Sequence, residues 1–93
     1  MIRSFKNKDS EAIFKGEFVK GLDSQIQQHA REKLKYLDSA ASLHDLMIPP
    51  SNQLERLKGD RKGQYSMRVN KQWRVCFKWK DGDASDVEIT DYH

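Results

Sequence analysis

One cysteine, two prolines and three scattered histidines exclude several kinds of protein at the outset. With Cys76 alone there is no intramolecular disulfide, and a lone thiol fits a reducing cytosol. His29, His44 and His93 stand far apart and no Cys or His pair has ligand spacing, so neither a metal nor another cofactor is expected. No apolar run approaches the ~20 residues of a membrane span. The opening MIRSFKNKDS has no apolar core and no small-residue cleavage site of a signal peptide. The expectation is a cytoplasmic chain without a membrane partner. Its 93 residues suffice for a single domain, 1–93, and not for a second sizeable core.

Acid is missing from one stretch and base from another. Residues 52–80 carry nine lysines and arginines against Glu55 and Asp60, a local charge of +7. Residues 81–93 carry Asp81, Asp83, Asp86, Glu88 and Asp91 with no lysine or arginine. A basic block of this density points to a polyanionic partner. Charge alone is equally compatible with a solvated sheet face.

The periodicity changes along the chain. MIRSF reads as a short strand, and DSEAIFKG as one or two helical turns capped by Asp9 or Ser10 and stopped by Gly16. Ser24 and Gln27 have the spacing of a capping box. Ile26, Ala30, Leu34 and Leu37 then form an apolar helical stripe. SLHDLMI adds a further turn before Pro49 and Pro50 end the helical half. NQLERL, QYSMRV, WRVCFKW and DVEITDYH read as strands, separated by KGDRKG, a short loop and KDGDAS. Tyr65, Met67, Trp73, Val75, Phe77 and Trp79 share one face by alternation and belong to the core, while His29 and His44 belong to the surface. The expected architecture is α+β: an N-terminal strand and two to three helices packed on one face of a mainly antiparallel sheet.

The loop at residues 70–72 sets the register. An odd loop, Asn70-Lys71-Gln72, pairs Val69 with Trp73 and keeps the apolar face intact, which burial favours. Arg68 then lies opposite Arg74 on the face away from the helices. Two opposed cations repel, and an anion between them would relieve the repulsion.

LKGDRKGQYSMRVNKQWRVCF followed by a terminal DYH, after the opening MIRSFK, closely resembles the HigB-type toxins of the RelE/ParE-like toxin–antitoxin superfamily. The resemblance spans the chain and is strongest from Leu54 to His93. It implies a microbial-ribonuclease or RelE-like fold and a metal-independent endoribonuclease. Such an enzyme cuts mRNA in the ribosomal A site by attack of a 2′-hydroxyl on the adjacent phosphate. It also implies a HigA-like helix-turn-helix antitoxin as protein partner, with mRNA and ribosomal RNA as nucleic-acid partners.

That reaction needs a base for the 2′-OH proton, cations for the charge growing on phosphate, and an acid for the leaving 5′-oxygen. By position in the family's pattern, Lys58, Arg68 and Arg74 supply the cations. Arg61, Lys62, Lys71 and Asp91 are candidate RNA-binding residues. His93, with an imidazole whose ordinary pKa lies near neutrality, is the candidate acid, and Tyr92 a stacking or orienting group. Some HigB-type relatives carry a histidine in the strand before LKGDR. Here Glu55 stands at that place and is the candidate base. The bland alternative for the tail is a frayed end. Cys76 has no base assembled for it and reads as a small filler. A gyrase-poisoning toxin of the same superfamily, or a non-catalytic RNA-binding module, would share the fold and the basic block without the chemistry.

Overall fold

The computed structural model describes residues 1–91. Helix α1 (Lys8–Phe14) and helix α2 (Ser24–Ser39) come first, then two 3-10 turns (His44–Met47 and Pro50–Asn52). Four strands follow: β1 (Glu55–Arg56), β2 (Gln64–Arg68), β3 (Trp73–Lys80) and β4 (Asp83–Asp91), with a third 3-10 turn, Gly59–Arg61, between β1 and β2. The strands form one antiparallel sheet in the order β1-β2-β3-β4. The expected α+β layering is therefore present, with the apolar faces of helices and sheet closing a single core.

Helix α1 starts earlier than sequence spacing puts it, whereas α2 starts at the expected Ser24 but with a different cap. Asn7 caps α1, its Oδ1 accepting from Ser10 N at 2.8 Å, and Gly16, at φ 85°, ends the turn that follows. Asp23 caps α2 through Gln25 N and Ile26 N. The Ser24/Gln27 capping box does not form. Gln27 is buried instead, and its amide binds Val19 N, Val19 O and Leu22 O at 2.8, 2.8 and 2.6 Å. One side chain thus satisfies three backbone groups of the α1–α2 connection, which would otherwise lack partners.

Ala30, Leu34 and Leu37 of α2 are fully buried against Met67, Val75, Phe77 and Val87 of the sheet. Each large aliphatic side chain removed from water here contributes about 1.5–3 kcal/mol. Phe77 packs between Tyr65 and Trp79, with ring centroids 6.1 and 6.3 Å away.

The opening MIRSF does not form a continuous ladder. It runs parallel to β4 and meets it at two isolated bridges, Ile2–Ala84 and Phe5–Val87. The gap between the bridges coincides with an irregularity in β4, where Asp86 takes a positive φ of 50° and the register slips between Cys76 and Lys78. This bulge lets both Ala84 and Val87, three residues apart, face the core. Asp86 N is satisfied by Ser4 Oγ and Val87 N by Ser4 O, so the N-terminal segment fills the ladder the bulge interrupts.

NQLERL is a strand only at Glu55–Arg56. The β3–β4 turn is the two-residue Asp81-Gly82, both with positive φ, as a primed hairpin turn requires.

Candidate active site

The loop between β2 and β3 closes as its residues dictate. Asn70 Oδ1 accepts from Gln72 N and Trp73 N at 2.8 and 2.7 Å, turning the chain. Val69 N donates to Trp73 O at 2.9 Å, and Arg68 comes to lie opposite Arg74. The register expected from burial is the one observed. Both arginines start from the face that the helices leave open.

Their side chains then part company. Arg74 is 8% exposed. Its Nε donates to Ser66 Oγ at 2.8 Å, and its Nη2 donates to Ser66 O and to Gln53 O. The repulsion anticipated between the two cations is met by fixed dipoles: a hydroxyl and two carbonyls surround the Arg74 guanidinium. Gln53, in a left-handed conformation at φ 45°, is held there partly by that bond. Arg68 is half-buried and makes no side-chain hydrogen bond or ion pair among the described residues.

A cleft of about 290 Å³ lies at this end of the sheet, lined by Gln53, Glu55, Arg68, Asn70, Lys71 and Arg74. Glu55 reaches it because β1 pairs Glu55 with Ser66, one step along β2 from the arginines. The cleft therefore combines one exposed carboxylate with three cationic side chains. β4 ends beside it: Thr90 is opposite Arg74, and Asp91, opposite Trp73, accepts from Gln72 Nε2 at 2.9 Å. Tyr92 and His93 lie outside the described residues.

The remaining candidates sit elsewhere. Lys58 and Lys62 are exposed in the β1–β2 connection, at the opposite end of the sheet from Arg68 and Lys71, and do not line the cleft. Arg61, in the same connection, folds over the open face to Glu88, with Nη1 2.8 Å from Oε1. The acidic stretch is likewise drawn into the fold. Asp83 pairs with Arg3 and the N-terminal amine, and Asp86 with Lys78.

Three contributors have no individual signal in the sequence: Ser66 and Gln53, which cradle Arg74, and Glu88. Glu88 shares strand parity with Thr90, which placed it on the open face; its burial depends on Arg61 arriving from a distant loop. Between these groups, opposite Glu88, lies fully buried Cys76. Burial pushes its thiol above the ordinary value; the charge of Arg61 opposes that, Glu88 adds to it, and Arg74 and Lys6 oppose it further.

Among the described residues no three His, Cys, Asp or Glu side chains are grouped closely enough to hold a metal ion, and no helix is long and apolar enough to cross a membrane. The chemistry within reach is that of a carboxylate beside three cationic side chains, of which Arg74 is held in place, and that arrangement suits a phosphodiester.

Residues 3–93 match the family described as the RelE-like toxin of type II toxin-antitoxin system HigB. Toxin HigB-1 of Vibrio cholerae is 42% identical over 90 residues, covering 96% of this chain and 95% of that protein. Endoribonuclease HigB of Proteus vulgaris is 33% identical over 93 residues, covering both chains in full. Among solved structures, the fold resembles the YoeB–YefM complex from Staphylococcus aureus, with a TM-score of 0.63 at 18% identity over 100% of this chain and 98% of that one. The YoeB dimer from the same organism gives 0.57 at 21% identity over 99% and 94%.

Proposed function

Because the chain belongs to the HigB-like, RelE-like toxins of type II toxin–antitoxin systems, we propose that it is an endoribonuclease that cuts mRNA on the ribosome, without a metal, at the open end of its sheet. The observation that carries the reading is the cleft in which Glu55 stands with Arg68, Lys71 and Arg74.

In the reaction, Glu55 takes the 2′-OH proton of one nucleotide as O2′ attacks the adjacent phosphorus. The O2′–P bond forms and the P–O5′ bond breaks. Arg68 and Lys71 stabilise the charge that grows on the phosphate oxygens, with Arg74 behind them as a buried, fixed positive charge. Fixed cations need no reorganisation at the moment of reaction, which is why such groups supply a large share of catalysis. His93 gives the leaving 5′-oxygen its proton, and the products are a 2′,3′-cyclic phosphate and a 5′-hydroxyl. Asp91 and Tyr92, preceding His93, orient the tail and the RNA. Lys58, Arg61 and Lys62, at the far end of the open face, contact the RNA backbone or ribosomal RNA. In the cytoplasm a HigA-like helix-turn-helix antitoxin restrains the toxin and binds operator DNA with its own fold.

Single-turnover cleavage of ribosome-bound mRNA tests the chemistry. Glu55→Gln and His93→Gln should each slow it by about 10²–10⁴, and the double variant should lose far less than the product of the two. Cleavage by Glu55→Gln at the parental rate would remove Glu55 from the role of base.

A further inference from the structure

The open face carries a second cluster, on the β4 side of the sheet. Glu88 of β4 is 9% exposed, although it is a carboxylate on the face that no helix covers. What covers it is charge. Arg61 Nη1 lies 2.8 Å from Oε1 and Lys6 Nζ 3.7 Å from the same atom. Among the described residues that oxygen has no well-directed hydrogen bond, and its contacts with Arg61 and Lys6 are coulombic. Arg61 Nη1 also donates to Gln64 Oε1 at 3.3 Å.

The geometry makes this pairing unusual for a surface loop. Arg61 belongs to the connection between β1 and β2, whereas Glu88 is on β4. From β2 to β4 is two strand spacings, about 10 Å, and the long Arg61 side chain spans that gap to meet Glu88. Lys58 is the residue immediately before this 3-10 turn, Gly59–Arg61. Removing the Glu88 charge would take away the anion that Arg61 and Lys6 share among the described residues, and the loop would lose that anchor.

We propose that Glu88 is a positioning residue that acts through Arg61, holding the β1–β2 connection across the open face so that Lys58 and Arg61 meet the RNA backbone in a fixed place. This rests on the endoribonuclease reading above and adds to it a residue that does not line the cleft. The buried carboxylate touches no substrate in this role. It determines where two cations stand, and misplacement of such groups by about 1 Å can cost around 10²-fold in rate.

The test is a kinetic cycle on single-turnover cleavage of ribosome-bound mRNA, with Arg61→Gln, Glu88→Gln and the double variant. The urea midpoint of each is measured in parallel. Each single variant should lose about 10–100-fold. The double should lose no more than the worse single, because neither residue acts once its partner is gone. Losses that multiply, or a folded Glu88→Gln that cleaves at the parental rate, overturn the proposal. If Glu88→Gln fails to fold, the exchanged pair Arg61→Glu with Glu88→Arg decides. It restores the ion pair but moves the cation from loop to strand, so the midpoint should recover while cleavage stays low. Recovery of both would show that only the fold needs the pair. A parent chain that does not cleave at all would instead defeat the endoribonuclease reading itself.

Discussion

Arg74 and Arg68 face each other across two strands, yet their removal should have different consequences. Among the described residues Arg74 donates three hydrogen bonds from a site 8% exposed, and Ser66, which accepts two of them, is fully buried. A hydrogen bond to a charged donor contributes about 1.5–3 kcal/mol, and a buried acceptor left without a partner adds its own desolvation cost. Losses within one cluster do not add fully, so Arg74→Ala should destabilise by about 3–5 kcal/mol. For a domain this small, with ~5 kcal/mol or little more in total, that is most of its stability. Arg68→Ala removes no hydrogen bond among the described residues and should change stability by only about 0.5 kcal/mol. If Arg68 faces a phosphate, the same substitution should cost about 10²–10³ in cleavage. Urea unfolding of both variants, read beside cleavage and growth inhibition, separates the cases. We expect a large fall in midpoint for Arg74→Ala and almost none for Arg68→Ala, with both non-toxic. An Arg74→Ala variant as stable as its parent would refute the account of that cluster. A folded, fully active Arg68→Ala would refute the placement of the phosphate.

Three further outcomes follow from named contacts. Cys76 has its thiol pKa raised above 9.0 in the fold, chiefly by burial. It therefore contributes stability that is whole below pH ~9 and declines as pH rises through the folded value; the urea midpoint of the parent should fall in that alkaline window more than that of Cys76→Ala. Gln27→Ala should cost about 2–4 kcal/mol, because Val19 N, Val19 O and Leu22 O lose their partner, and amide exchange should accelerate at Val19 while α2 stays protected. Lys71→Ala, at the exposed rim of the cleft, should leave stability unchanged and lower the slope of log affinity for single-stranded RNA against log salt by about 0.7; an unchanged slope would place Lys71 off the RNA path.

How far the sequence discloses this arrangement depends on whether a feature is periodic or assembled. Strand alternation and the two-residue Asp81-Gly82 turn are local, and they place Val75, Phe77 and Val87 inward without any knowledge of the partner strands. The register opposing Arg68 to Arg74 is also legible, since a two-residue loop would mix apolar and polar faces and the three-residue loop does not. The bulge at Asp86 is not: a positive φ at an aspartate is stabilised by Ser4, 82 residues away in the chain. Gln27 illustrates the same limit on a helix. Its spacing from Ser24 suggests a cap, but the loop before the helix offers three backbone groups within reach, and burial makes satisfying them the larger effect.

The cleft divides along the same line. Opposed arginines at positions 68 and 74 were a reason to look for an anion. The fold answers half of that question by itself, giving Arg74 a hydroxyl and two carbonyls and leaving the exposed half of the problem to Arg68 and Lys71. Hydroxyl and carbonyl dipoles hold a guanidinium in place without cancelling its charge, so Arg74 serves the fold and lines the cleft at once. The +7 of residues 52–80 reads in the same way: Arg61 is paired with Glu88 and Lys78 with Asp86, while Arg68 and Lys71 meet the solvent of the cleft. The net positive charge that the block offers to RNA is therefore smaller than the sequence count.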